Sequence, residues 1–301
     1  MHASSAYTYV QLPHAGLGNM LLVWARARVF ADINNLPLIQ SSWVKPRVGW
    51  LLRGEKHPRL YIGYFVSPSL IDMARKWWVL KTYYQIIDPE ISQIASRNSR
   101  VCYVFRQLPH WSDFFAGLKE YRDQLRSHIY HMLTMKYRRR LTEIQAPVIG
   151  VHIRRGDFRE LRANEDFANV GLVRTPLSYF CTLISEIRDF CGTCLPVTIF
   201  SDGKDHELHD VLLLPNVHRA SANADIVDML LFSRSKLLIT SAGSSFSSWA
   251  VFLSDAPALI HPDHVHAPIR SNEINKKFFE GGVRGSNITW PDLLKQNIRN
   301  L

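Results

Sequence analysis

The sequence predicts an α/β protein built on parallel β-sheets. Three observations lead there: the chain opens as strand, helix, strand; strands and helices alternate with regularity from Pro147 onward; and the unusual polar residues gather where the predicted strands end. In a parallel α/β sheet that end is where ligands bind, in the crevice beyond the carboxyl ends of the strands.

Tyr7–Leu12 reads as the first strand, and Gly16-Leu17-Gly18 as the turn that follows it. Leu17, Met20, Leu21, Trp24, Ala27 and Ala31 recur at helical spacing up to about Asn34, and Leu36–Gln40 is a short second strand. Residues 41–145 are rich in aromatic and basic side chains and less regular, with helices predicted near Pro68–Leu80 and Lys119–Arg140. Val148–Ile153 is then an apolar strand. Thr175-Pro176 starts a helix running to about Phe190. Val197–Phe200 is a strand, followed by helices at about Asp205–Leu213 and Asn223–Ser233. Leu237–Thr240 is a strand, Ser241–Ser245 a loop of small residues, Phe246–Leu253 a helix and Ala258–His261 the next strand. The change of regularity divides the chain into residues 1–145 and 146–301.

Composition sets the class. A chain of 301 residues, 47% hydrophobic and 21% charged, has the balance of a soluble globular protein with a sizeable core. No window is apolar enough for a membrane-spanning helix, and Met1–Ser5 leads into the first strand without a cleavable signal. The four cysteines show no disulfide framework; Cys191-Gly192-Thr193-Cys194 lacks the second ligand pair of a zinc site and follows a helix instead of opening one. Asn287-Ile288-Thr289 is a glycosylation sequon, idle without secretion. The net charge of +10 favours an anionic partner, a nucleotide or an acidic membrane surface. Arg138-Arg139-Arg140 and Arg47–Lys56, with Trp43 and Trp50 nearby, read as solvated surface, and no nucleic-acid-binding motif is present.

The chemistry centres on His152-Ile153-Arg154-Arg155-Gly156-Asp157, which begins inside a strand and ends in a loop. Adjacent arginines on an extended chain point to opposite faces, so one of them faces the crevice. A guanidinium is a fixed fork of donors suited to phosphate oxygens and can stabilise a departing nucleoside diphosphate, work otherwise done by a metal on an Asp-x-Asp pair that this chain lacks. Asp157 either pairs with an arginine or receives a hydroxyl proton; the plain structural alternative is an ion pair at a strand end. Ser241-Ala242-Gly243-Ser244-Ser245, between a strand and a helix start, offers an anion backbone N–H groups and hydroxyls, or else supplies an ordinary helix cap. Gly16-Leu17-Gly18-Asn19 is too short for a dinucleotide fingerprint. His261-Pro262-Asp263-His264-Val265-His266 holds four possible metal ligands but reads as a polar loop, so no metal site is assigned.

Four pieces in order resemble the α-1,2-fucosyltransferases and the wider superfamily of α-1,6- and protein O-fucosyltransferases. They are the first strand with Gly16-Leu17-Gly18-Asn19; Val151–Phe158; Ile199-Phe200-Ser201-Asp202; and Asp225–Met229 through Ser241–Trp249. The resemblance covers about residues 7–35 and 147–262. It implies a GT-B fold of two Rossmann-like halves, with residues 1–145 on the acceptor side and 146–301 binding the donor nucleotide. It implies inverting, metal-independent transfer of fucose from GDP-fucose, with no cofactor, to an oligosaccharide or lipid-linked glycan, in an α-1,2 linkage to a galactoside. On it, Arg154 contacts the donor phosphates, His152 and Asp228 lie near guanine or ribose, and Ser244, Ser245 and Phe246 form the phosphate-side loop. Asp202 joins the donor set, and His14, Gly16, Gly18 and Asn19 belong to the cleft or acceptor side. The base stays open among Asp157, His14 and Glu165-Asp166. Met20, Gly203 and Ala250 depart from the family's glutamine, aspartate and second tryptophan. The alternatives are a transferase of the same fold using another GDP-sugar and a non-catalytic nucleotide- or glycan-binding protein. The expected location is cytoplasmic, and the charge suits a peripheral contact with the inner face of an anionic membrane.

Overall fold

The computed structural model describes residues 6–44, 60–95, 100–264, 266–284 and 286–301; the predicted basic cluster Arg47–Lys56 and Trp50 lie outside them. The chain forms two compact units, Met1–Arg138 and Arg139–Leu301.

The first unit carries a four-stranded sheet of β1 (Ala6–Val10), β2 (Leu38–Ile39), β3 (Tyr84–Ile87) and β4 (Val101–Phe105), in the order β2-β1-β4-β3 with every pair parallel. The helix Leu17–Ile33 returns the chain from β1 to β2. The sequence marks one apolar stripe on this helix, yet Leu22, Val23, Val29 and Phe30 on its other sides are buried as well. A helix buried on nearly every side belongs inside a protein, and here Arg26, Arg28 and Asp32 mark its half-buried side. Phe30 packs on Tyr103 and Phe105 of β4 at 4.9 and 5.3 Å. The predicted helix over Lys119–Arg140 is two helices, Arg122–Met132 and Met135–Glu143. Between them Leu133 is extended and bridges Phe65, while the Thr134 N–H and hydroxyl donate to the carbonyls of Tyr64 (3.0 Å) and Gly63 (2.8 Å). A long-range contact thus breaks a helix that local periodicity favours.

The second unit carries a six-stranded parallel sheet: β5 (Ile149–Ile153), β6 (Val197–Ser201), β7 (Val217–Arg219), β8 (Leu237–Ile239), β9 (Ala258–Leu259) and β10 (Glu280–Gly281), ordered β10-β9-β8-β5-β6-β7. The chain starts at the centre with β5, runs outward through β6 and β7, then crosses back to β8 on the other side of β5 and runs outward again. The direction of winding therefore reverses between β5 and β8, the position at which doubly wound sheets bind their ligands. The helices Leu177–Cys191 and Asp292–Arg299 pack over the sheet through Phe180, Ile184, Ile187, Leu294 and Ile298. A Cβ on Gly150 of β5 would lie 2.2 Å from Ser235 Oγ and 2.8 Å from the Phe232 ring, so glycine here lets the helix Asp225–Ser233 press on the central strand. Gly192, in the left-handed region at φ 62°, ends the helix Leu177–Cys191; Cys191 and Cys194 are both free thiols.

Candidate active site

The segments after β5, β6 and β8 meet at one end of the second sheet. Ser241 ties two of them: its Oγ accepts from the Arg154 N–H (2.8 Å) and donates to the His152 carbonyl (2.9 Å). Thr175, fully buried before the helix Leu177–Cys191, makes a second tie. Its Oγ1 accepts from the Ala242 N–H (3.0 Å), and its carbonyl accepts from Arg155 Nη1 (3.0 Å). Asp202, just past β6, accepts the Arg155 N–H (2.8 Å) on one oxygen and the Arg154 guanidinium on the other.

The two arginines diverge as alternation requires. Arg155 is buried to 4% exposure and is a structural post; burial lowers its pKa, with Arg174 adding to the effect. Gly203 is the space it needs, since a Cβ there would lie 2.7 Å from Arg155 Cγ. An aspartate at this position would force the Arg155 side chain to shift. Arg154 remains partly open. Its Nη1 donates to Asp202 and its Nη2 to Asp157, and its plane lies 5.4 Å from the Phe158 ring centroid. A guanidinium has five N–H donors, so two ion pairs fix the fork without exhausting it. Asp157 is thereby the partner of Arg154.

His152 is placed differently from the expectation of a base or ribose contact. Its imidazole is buried, accepts or donates a hydrogen bond at 2.7 Å with Ser247 Oγ, and stacks on Phe246 at 4.5 Å. Burial, with Arg154 second, pushes its pKa down to about 3, so the ring is neutral. It holds the start of the helix Ser245–Leu253 against β5. Ser244 caps that helix, its Oγ accepting from the Ser247 N–H at 3.5 Å, so its hydroxyl serves the helix. Ser245 and Phe246 begin the helix, where N–H groups have no intrahelical acceptor. Gly243 precedes them at φ 65°, and beside it a cavity of about 500 Å³ opens between His261, His264, Glu280 and Arg284.

Asp228 sits in the first turn of Asp225–Ser233, the helix that follows β7, and so at the same end of the sheet. Burial pushes its pKa up to about 7, against a 2.9 Å hydrogen bond from Asn223 Nδ2, and Asp225 raises it further. Asn223 Oδ1 in turn accepts from Arg140 Nε at 3.0 Å. Arg140 is thus part of the second unit's polar framework and not simply solvated surface.

The profile of glycosyl transferase family 11 matches residues 68–278. The chain belongs to that family. A solved fucosyltransferase, NodZ from Bradyrhizobium, shares its fold with a TM-score of 0.52 at 15% identity, over 83% of this chain and 94% of that one. A second NodZ structure, an α-1,6-fucosyltransferase co-crystallized with GDP, superposes with a TM-score of 0.51 at 15% identity, over 83% and 93%. No curated protein matches the chain. This family 11 glycosyltransferase therefore has the GT-B-like architecture of two parallel α/β halves that the resemblance implied.

The remaining expected site residues of the transferase lie in its first unit. Gly16, Gly18 and Asn19 follow β1, beside the point where the order of that sheet reverses between β1 and β4. Gly16 is the N-cap of the helix Leu17–Ile33, and a Cβ there would meet nothing within 4 Å. His14 is exposed. Met20 is fully buried and belongs to the core. Of the other base candidates, Glu165 is engaged by both Arg159 Nη atoms (2.5 and 2.7 Å), whose hydrogen bonds hold its carboxyl below the usual range. Asp166 caps the short turn Phe167–Asn169. In the histidine-rich loop, His261 lies against Phe167 and Tyr179, and Asp263 pairs with Arg284. Among the described residues no three His, Cys, Asp or Glu side chains gather as for a metal. The sequence reading missed Thr175, Asn223 and Ser247. Each acts through a partner at least five residues away, which no local motif records.

Proposed function

We propose that the protein transfers fucose from GDP-fucose to a glycan hydroxyl, forming an α-1,2 linkage to a galactoside by one inverting displacement without an essential metal. The observation that carries this reading is the fork of Arg154, fixed by Asp157 and Asp202 beside the start of the helix Ser245–Leu253, where the sheet order reverses. That fork and the N–H groups of Ser245 and Phe246 face the same anion, the diphosphate, and stabilise its charge as the glycosidic bond to GDP breaks. Asp228 accepts the guanine edge, and His152 sets the position of Phe246. The acceptor hydroxyl attacks the anomeric carbon as GDP leaves. Membership of glycosyl transferase family 11 and the fold shared with NodZ support the donor class.

The test is a donor screen with GDP-fucose, GDP-mannose, UDP-galactose and UDP-glucose against galactoside acceptors, with the product's anomeric configuration and linkage read by NMR. A β-anomeric donor giving an α-1,2-fucosyl product supports the proposal. Turnover with a UDP-sugar, or GDP binding without turnover of any donor, sinks it.

A further inference from the structure

The helix Leu70–Thr82 in the first unit is built inside out. It is well formed: Ser69 caps it, its Oγ accepting from the Asp72 N–H at 3.1 Å, while the Asp72 carboxylate accepts back from the Ser69 N–H at 3.1 Å. At 100° per residue Met73, Trp77, Leu70, Ala74, Trp78 and Ile71 form one continuous apolar stripe, with Lys81 at its end. An amphipathic helix of a globular protein turns such a stripe inward. Here it faces out, with Leu70 79%, Ile71 71%, Trp77 67% and Met73 51% exposed, and Val79 is the helix's only buried residue. Lys76 takes the inner side instead, its Nζ 5.1 Å from the Tyr9 ring centroid, while Arg75 pairs with Asp72 at 3.5 Å. The exposed face continues past the helix into Tyr84, 73% exposed, the first residue of the edge strand β3.

We infer that this face docks on an anionic lipid bilayer, lying in the headgroup region with Leu70, Ile71, Met73 and Trp77 inserted. An exposed stripe of this size marks an interaction surface. Its composition, with tryptophan and leucine outward and Lys81 in the last turn, is that of an interfacial helix. Among the described residues no helix is long and apolar enough to cross a membrane, so the contact is peripheral. Charge selects the occupant. A second copy docking on the same face would bring together two chains of net charge +10, whereas anionic headgroups complement that charge. The contact rests on this helix face alone, whatever sugar the enzyme moves, and it would set the enzyme beside a lipid-linked acceptor.

The experiment is sedimentation of the whole protein with vesicles of phosphatidylcholine alone and of equimolar phosphatidylcholine and phosphatidylglycerol. The protein is expected on the anionic vesicles and not on the neutral ones. L70Q/W77Q, both positions exposed, is expected to lower the partition coefficient by about tenfold or more while the melting temperature is unchanged. Lys81→Ala is expected to lower it about fivefold. Brominated acyl chains should quench tryptophan emission in the wild type and less in Trp77→Phe. The inference falls if anionic vesicles do not bind the protein, if L70Q/W77Q binds them as well as wild type, or if binding occurs without quenching, which is adsorption by charge alone. It falls equally if L70Q/W77Q dissolves a dimer seen by sedimentation velocity, since the occupant is then a second copy.

Discussion

At the scale of single residues the arginine pair shows how far position in a strand decides role. Arg154 and Arg155 are chemically identical neighbours, yet one is a fork held open by two carboxylates and the other a buried post on the Thr175 carbonyl. Arg154→Ala is therefore expected to lower kcat/KM on the order of a hundredfold or more, with the melting temperature nearly unchanged. Arg155→Ala leaves buried polar groups without a partner and is expected to cost about 1–3 kcal/mol of stability, measured by denaturant unfolding. Equal loss of folding in both variants would make the whole hexapeptide structural. Asp228 carries a sign that can be checked. Its pKa, raised from 3.8 to about 7, means that the fold binds its proton more tightly than the unfolded chain does. Its contribution to the stability of the unliganded protein is full below the unfolded value and is lost as pH rises through about 7. If Asp228 accepts the guanine edge as proposed, GDP reverses the preference, because only the carboxylate accepts two hydrogen bonds there. GDP affinity is thus expected to rise with pH, approaching about tenfold per unit below pH 7, and to level off above it. Calorimetry of wild type and Asp228→Asn decides this: the variant should show a flat profile and reduced preference for GDP over UDP and ADP. A wild-type profile already flat would place the guanine elsewhere.

At the scale of elements the loop after β8 separates capping from binding. Ser244 spends its hydroxyl on the Ser247 N–H, and Ser245 opens the helix. Ser244→Ala is expected to cost about 1 kcal/mol of stability as a lost cap. If Ser245 meets only phosphate, as proposed, Ser245→Ala is expected to leave stability alone and to weaken GDP, UDP and ADP alike; unequal effects on the three, measured as dissociation constants, would contradict that. Elements of the second unit were legible because each is locally consistent: apolar runs such as Val148–Ile153 and Leu237–Thr240 match β5 and β8 within a residue or so. Of the residues read at the strand ends, Arg154, Asp157, Asp202 and the serine loop do come together. What stayed hidden was set by contacts distant in sequence. β4, Val101-Cys102-Tyr103-Val104-Phe105, is an unbroken apolar run of the kind that central parallel strands have, but the irregular segment around it gave no alternation to anchor it. The short β7 and β10 have three and two residues and leave no period to read. The break at Leu133 depends on Phe65, and the burial of His152 on Phe246 and Ser247.

At the scale of the molecule, each unit has its own sheet and its own buried core, so variants in one need not disturb the other. Met20 shows what that independence does and does not permit. A glutamine there, the residue the family usually has, would place an amide where no side-chain exposure remains. Met20→Gln is expected to destabilise the first unit, by about 1–3 kcal/mol if the amide finds no partner, and to leave GDP affinity unchanged; a change in GDP affinity at constant stability would show that position 20 reaches the donor. Charge acts over both units at once. A chain of net charge +10 favours an anionic ligand before any contact forms, and on the proposed mechanism Arg154 then supplies the local countercharge that a divalent ion supplies elsewhere. If the arginine performs that work, GDP affinity should fall steadily as sodium chloride is raised, because the attraction is screened over about 10 Å at 0.1 M salt. It should not respond to chelator or to added magnesium or manganese. Titrating GDP by calorimetry across a salt series, with and without EDTA, reads both effects in one experiment. Affinity that vanishes with EDTA and returns with manganese would assign the countercharge to a metal and reduce Arg154 to positioning the loop.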